Sequence, residues 1–254
     1  MNRIRQAFKN RSDKVVPYLM AGFPTKEDTL SMVMAAEKGG AAMVELGIPF
    51  SDPLADGPII QKASQIAIEN GVTISWILET IVEIRQQSEI PLALMGYINP
   101  IIKFGFKEFM QECSNSSVDG LIIPDLPLEE TEEYVDLARE HNISPILLVA
   151  PNTSRDRIKE ISRIANDLIY CVAILGVTGT NTAKHDTLKS YLMKVAECCV
   201  CPFVVGFGIK ERADVININQ IAHGAVVGSA IINELNNSHN PVETVENYLE
   251  KLTK

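Results

Sequence analysis

No stretch of this 254-residue sequence approaches the ~18 consecutive apolar residues of a membrane-spanning helix, so an integral helical membrane protein is not expected. Positive charge is short: 23 Lys and Arg stand against 32 Asp and Glu, a net charge of −9, which argues against nucleic acid as the main partner. A single phosphate group stays open, because backbone amides can hold one. Met1–Lys14 is basic, but no apolar core of secretory-signal length follows it. Ile4 and Phe8, four apart, predict a short amphipathic helix there. Cysteine is sparse and odd in number, at Cys113, Cys171, Cys198, Cys199 and Cys201, which fits a reducing compartment. Cys198 and Cys201 have C-x-x-C spacing, but no second such pair exists. His141, His185, His223 and His239 show no ligand spacing to them, so these cysteines read as buried small apolar residues. Trp76, the single tryptophan, lies on the apolar face of a predicted helix and reads as core. The dinucleotide fingerprint G-x-G-x-x-G is missing after the first apolar run, where Met20-Ala21-Gly22-Phe23-Pro24 stands.

What is present is a rhythm. Eight short apolar runs predict strands: Val15–Met20, Ala42–Leu46, Leu92–Met95, Gly120–Ile123, Ile146–Val149, Ile169–Ala173, Phe203–Val205 and Ala225–Val227. They are mostly rich in Val, Ile or Leu and continuous rather than alternating, the pattern of parallel strands buried on both faces. Amphipathic stretches separate them, among them one opening at Thr25 and ending at Gly39-Gly40, and others over Ile59–Glu69, Thr73–Gln87 and Arg155–Ala165. The pattern predicts a single (β/α)8 TIM barrel, one domain over residues 1–254, with an extra N-terminal helix and an extra helix after the second strand. A doubly wound sheet is the alternative.

In such barrels the chemistry lies where strands run into the following loops. The second strand delivers Glu45 into a loop, Glu45-Leu-Gly-Ile-Pro-Phe-Ser-Asp-Pro-Leu-Ala-Asp-Gly-Pro58, that carries a further carboxylate, Asp56. Pro49, Pro53 and Pro58 fix φ along it and predict a stiff loop. The other ends give Tyr18, Tyr97 with Asn99, Asp125, Pro151-Asn152-Thr153, Gly176–Gly179, Gly206–Gly208 and Gly228-Ser229. The last three are Gly-bearing, and glycine lets backbone N–H groups approach a ligand; Gly179, Gly208, Gly228 and Ser229 therefore predict a phosphate cup. Lys210, nearby, reads as a solvated helix-start residue. No predicted strand end carries a lysine for a Schiff base, and no histidine cluster suggests zinc. The reactive groups left are the carboxylates Glu45, Asp56 and Asp125, and proton transfer is their natural chemistry.

These residues resemble a known family. The Glu45–Pro58 segment is similar to the signature of the tryptophan synthase α subunit. The likeness continues through Asp56–Ser64, Gly120–Pro127, Tyr170–Gly179 and Val205–Ile209. The resemblance implies a lyase of L-tryptophan biosynthesis that splits indole-3-glycerol phosphate, by retro-aldol cleavage, to indole and glyceraldehyde 3-phosphate. It implies Glu45 as the general acid–base and Asp56 as the acceptor of the indole N–H. Tyr170 would stand beside Glu45, and Thr178 would reach Asp56 on closure of the sixth loop. Tyr18, Tyr97, Leu121 and Leu126 would line an apolar slot around the indole or simply fill the barrel. The chain itself would bind no cofactor and would be cytoplasmic. Its partner would be a β subunit carrying pyridoxal phosphate (PLP), in an α2β2 heterotetramer, met through Ser51–Pro58, Asn99-Pro100 and the sixth loop. Two departures bear on loop closure: Ala173 stands where the family more often has Ser, and Asn152 interrupts a more usual Pro-Thr-Thr. An enzyme working without the β subunit and a silent phosphate-binding barrel are the alternatives.

Overall fold

Each predicted apolar run forms a strand in the computed structural model, and every pairing between them is parallel. The structure describes residues 3–10, 12–173, 181–206 and 208–254, without the side chains of 181–186. The strands are β1 (Val15–Met20), β2 (Val44–Gly47), β3 (Leu92–Met95), β4 (Gly120–Ile122), β5 (Ser144–Pro145), β6 (Leu147–Val149), β7 (Ile169–Val172), β8 (Phe203–Gly206) and β9 (Gly224–Val227). Their order is β5-β4-β3-β2-β1-β9-β8-β7-β6. The two ends of that sheet, β5 and β6, are halves of one run broken at Ile146. β5 pairs with β4 and β6 with β7, and the Ile146 N–H donates to the Leu121 carbonyl at 2.9 Å. The ring therefore closes through the chain itself, giving the barrel that the eight runs predict.

Alternation along the strands builds the interior in layers. Val16, Met43, Ala93, Ile122, Ile146, Leu168, Val204 and Val226, one from each strand station, form one buried layer. Below it, Ile4 in α1 (Arg3–Ala7) and Phe8 just beyond it are fully buried and stopper the N-terminal mouth. A Cβ on Gly120 would come within 2.7 Å of Ile4 Cδ1, so glycine there is what admits the stopper. Arg3 anchors it from outside through Asp119 at 3.0 Å, a carboxylate that Arg85 also meets at 2.6 Å. Two residues further along each strand comes a second layer: Tyr18, Glu45, Met95, Pro124, Leu148, Tyr170, Gly206 and Gly228. This layer is the floor of a cavity at the carboxyl ends.

The remaining helices are α2 (Asp28–Lys38), α3 (Pro58–Glu69), α4 (Ile74–Arg85), α5 (Ile98–Phe104), α6 (Phe106–Asn115), α7 (Glu132–Glu140), α8 (Arg155–Ala165), α9 (Asn181–Cys198), α10 (Arg212–Asn219), α11 (Ser229–Asn236) and α12 (Pro241–Thr253). Their starts are chemically marked. Thr73 caps α4 by accepting from the Trp76 N–H at 3.2 Å, and Ser154 caps α8 by accepting from that of Arg157 at 3.3 Å. Pro58 and Pro241 occupy first-turn positions, where no N–H is needed. Two helices were not legible in the sequence: α5, where Asn99-Pro100 reads as loop, and α11, eight residues directly after Gly228. Trp76 is only half-buried; it packs on the core and offers its ring to the Lys26 ammonium, 4.7 Å from the centroid. Cys113, Cys171, Cys198 and Cys201 are buried free thiols.

Candidate active site

Glu45 sits in the middle of β2, in register with Tyr18 of β1 and Ala93 of β3. Its parity turns the side chain inward, where it is 1% exposed, and neither carboxylate oxygen has a hydrogen-bond partner among the described residues. A buried carboxylate with no donor is disfavoured as an anion. Burial, and after it the nearby charge of Asp56, push the Glu45 carboxyl up to about 8. At neutral pH the group holds its proton and is ready to give it.

Asp56 belongs to the loop between β2 and α3, which is tied down at several points. Ser64 Oγ accepts from the Phe50 N–H and donates to the Phe50 carbonyl, both at 2.8 Å. Gln61 Nε2 donates to the Asp56 carbonyl at 2.9 Å, and the Asp56 N–H donates to that of Pro53 at 3.0 Å. The Tyr97 hydroxyl donates to Asp56 Oδ2 at 3.1 Å and accepts from the Ala55 N–H at 3.0 Å. Burial raises the Asp56 carboxyl above its usual range, and the Tyr97 hydrogen bond opposes that rise. These hydrogen bonds tie the loop at Phe50, Ala55 and Asp56, while Leu54 at its tip is 94% exposed.

Both acids line one cavity of about 470 Å³. Tyr18 and Tyr170 line it too, and each ring has its place because a neighbour lacks a side chain. A Cβ on Gly206 would stand 2.8 Å from Tyr170 Cζ, and one on Gly47 would stand 2.6 Å from Tyr18 Cζ. At the far end lie Gly206, Gly208, Gly228 and Ser229. Gly228 is the N-cap of α11, no side chain caps that helix, and Gly228 and Ser229 both line the cavity.

Several predicted residues lie elsewhere. Leu121 is buried on the outward parity of β4, in the layer between barrel and helices, and does not line the cavity. Leu126 borders a separate small cavity of about 60 Å³ that shares Pro124 and Leu148 with the main one. Tyr97 holds the Asp56 loop and is absent from the cavity lining. Asp125 is engaged in structure: its Oδ1 accepts from the Ile98 N–H at 3.0 Å, at the start of α5. The exposed Lys210 gives its N–H to Asp214 at 2.9 Å, at the start of α10. Thr178 and Gly179 lie outside the described residues. Met95, Pro124, Leu148, Ile60 and Ile209 line the cavity without having been singled out in the sequence. The signal for the first three was parity: each stands at the inward spacing set by Glu45.

A protonated buried acid and a second, anchored carboxylate face one apolar slot that ends at a helix N-terminus. Such a constellation defines a (β/α)8-barrel enzyme of the acid–base kind, and known proteins narrow the class to one family. The family model described as tryptophan synthase alpha chain matches residues 4–254, and the chain belongs to that family. The tryptophan synthase alpha chain of Petrotoga mobilis is 47% identical over 232 residues, 91% of this chain and 90% of that protein. A crystal structure of tryptophan synthase subunit alpha from Legionella pneumophila superposes with a TM-score of 0.91 at 32% identity, covering 100% of this chain and 97% of the other. A structure concerning mutual activation of the tryptophan synthase α2β2 complex of Pyrococcus furiosus gives a TM-score of 0.85 at 34% identity, over 95% and 98%.

Proposed function

We propose that this chain is the α subunit of tryptophan synthase and cleaves indole-3-glycerol phosphate to indole and glyceraldehyde 3-phosphate. The observation that carries the mechanism is the pairing of Glu45, buried and without a partner among the described residues, with Asp56 across one cavity. Glu45, protonated, gives its proton to C3 of the indole ring, and the ring nitrogen takes up the resulting positive charge. Asp56, ionised, accepts the ring N–H and stabilises that charge. Glu45, now a carboxylate, removes the proton of the glycerol hydroxyl next to the ring. The carbonyl forms, the bond from C3 to the side chain breaks, and its electron pair returns to the ring. One acid thus gives and recovers one proton, and the ring nitrogen serves as the electron sink. The Gly206–Ser229 end of the cavity and the start of α11 take the phosphate.

The chain works in the cytoplasm without a cofactor of its own and hands indole to a PLP-dependent β subunit. The contact face combines the Ser51–Pro58 loop, with Leu54 94% exposed, and α5, with Ile102 60% exposed. The Pyrococcus furiosus relative's α2β2 complex supports this partner. The test is to incubate the purified chain with indole-3-glycerol phosphate, alone and with a β subunit, and to follow indole. No indole in either case would overturn the reaction. Equal rates without co-elution would remove the β subunit.

A further inference from the structure

Tyr97 is 5% exposed and stands at the N-cap of α5, outside the cavity lining. Its hydroxyl makes two hydrogen bonds to the neighbouring loop, accepting from the Ala55 N–H at 3.0 Å and donating to Asp56 Oδ2 at 3.1 Å. Its ring rests against Phe50 of the same loop, centroids 5.4 Å apart. The backbone that carries Tyr97 is itself pinned, since Asp125 Oδ1 accepts from the Ile98 N–H at 3.0 Å. A line of support therefore runs from the loop after β4, through the start of α5, to one oxygen of Asp56. The loop's other ties, from Ser64 and Gln61, come from α3 and grip backbone atoms only. Among the described residues, Tyr97 is the side chain that grips the carboxylate.

Given the cleavage proposed above, on which this role rests, we propose that Tyr97 is a positioning residue. Its hydroxyl orients the Asp56 carboxylate toward the substrate's ring nitrogen and keeps Oδ1 available for the N–H. A tyrosine serving only as an apolar wall would have its hydroxyl turned elsewhere. The same bond favours the ionised form of Asp56, against the burial that raises its pKa. The other titratable groups around Asp56 are Glu45 of β2, Tyr18 of β1 and Tyr170 of β7, with Asp125 acting on Tyr97. None of these donates a hydrogen bond to Asp56 among the described residues.

The experiment compares wild type, Tyr97→Phe and Phe50→Leu, each checked for a native circular dichroism spectrum, in indole formation from indole-3-glycerol phosphate between pH 5 and 9. Tyr97→Phe is expected to lower kcat about tenfold, as for loss of a hydrogen bond to a charged group, with KM within about twofold. Its acid limb is expected to move to higher pH. Phe50→Leu, which keeps the hydroxyl, leaves that limb in place. A Tyr97→Phe profile that overlies wild type, or one that raises KM alone, overturns the positioning role while the cleavage stands. An equal limb shift in Phe50→Leu also overturns it, because loosening of the loop would then suffice. Failure of wild type itself to release indole would instead remove the reaction and this role together.

Discussion

The hydroxyl of Tyr18 occupies the space that a side chain on Gly47 would need. A Cβ built on Gly47 overlaps that oxygen and stands 2.6 Å from the ring's Cζ and 3.0 Å from Cε2. The two residues lie on adjacent strands, and Gly47 follows Glu45 by two positions on the same inward face. The glycine two positions after Glu45 is thus there for the tyrosine across from it.

Gly47→Ala should therefore push the Tyr18 ring into the cavity. Overpacking of a close-packed interior costs about 1–3 kcal/mol of stability. The larger loss falls on substrate binding, with KM for indole-3-glycerol phosphate rising about tenfold. Adding Tyr18→Phe removes the overlapping oxygen and should recover part of both losses, which steady-state kinetics and a thermal melt of the double variant would show. Kinetics unchanged in Gly47→Ala would mean that the ring has another place to go.

Glu45 sets function against stability, and Glu45→Gln should expose the conflict. Loss of a positioned acid–base costs about 10²–10⁴-fold in rate, while substrate binding should persist. Stability should move the other way. The Glu45 carboxyl stands at about 8 in the folded chain and near the ordinary 4.5 when unfolded. Between those values the folded state binds more protons, so stability falls as pH rises, by up to about 1.4 kcal/mol per pH unit. Wild type and Glu45→Gln should be close in stability at pH 4.5 and diverge up to about pH 8, with Gln the more stable. Urea denaturation at pH 5, 7 and 9 measures the gap; a gap that does not widen would mean that Glu45 is not buried neutral.

The strands were legible because both faces of each are covered, and burial on both faces writes itself as unbroken apolar runs. Glu45 was legible for the complementary reason: it is the one charge in such a run. Leu121 went astray because a continuous run hides parity. Nothing in Gly120–Ile123 says which residue faces the axis, whereas the register with Glu45 does. α5 was hidden by Pro100 in its first turn and by its seven-residue length, and α11 by its eight-residue length directly after Gly228. The bonds from Tyr97 to Ala55 and Asp56 span some 40 positions between two loops, and no local pattern encodes such a distance. Gly206 read only as one of the glycines at a strand end, and the structure gives a specific reason for it in the ring of Tyr170.

The rate itself should be bell-shaped in pH. In the proposed cleavage Glu45 starts protonated and Asp56 ionised, so kcat/KM should fall as pH rises past about 8. With Asp56 in that role, activity should also fall at low pH, through a carboxyl that burial has raised above its usual range. The alkaline limb belongs to Glu45 and should follow its environment: Asp56→Asn removes the neighbouring charge and should move the limb to lower pH in whatever activity remains. A limb that stays put would assign it to another group.

At the opposite end of the cavity, Gly228 tests the phosphate site without touching either acid. Among the described residues a Cβ there would meet only Ile60 Cδ1 and Tyr18 Cβ, each at the ordinary contact distance of 3.7 Å, so these neighbours accommodate a small side chain without strain. Its cost is to ligand: it adds bulk to the cavity wall at the N-terminus of α11, the positive end of the helix dipole. Gly228→Val should raise KM about tenfold with kcat nearly unchanged, because the phosphate is held equally before and during cleavage. Inorganic phosphate is expected to compete at the same site in wild type and to lose its inhibition in parallel. If KM rises while phosphate inhibits as before, the valine obstructs the indole end through Tyr18, and the phosphate is held elsewhere.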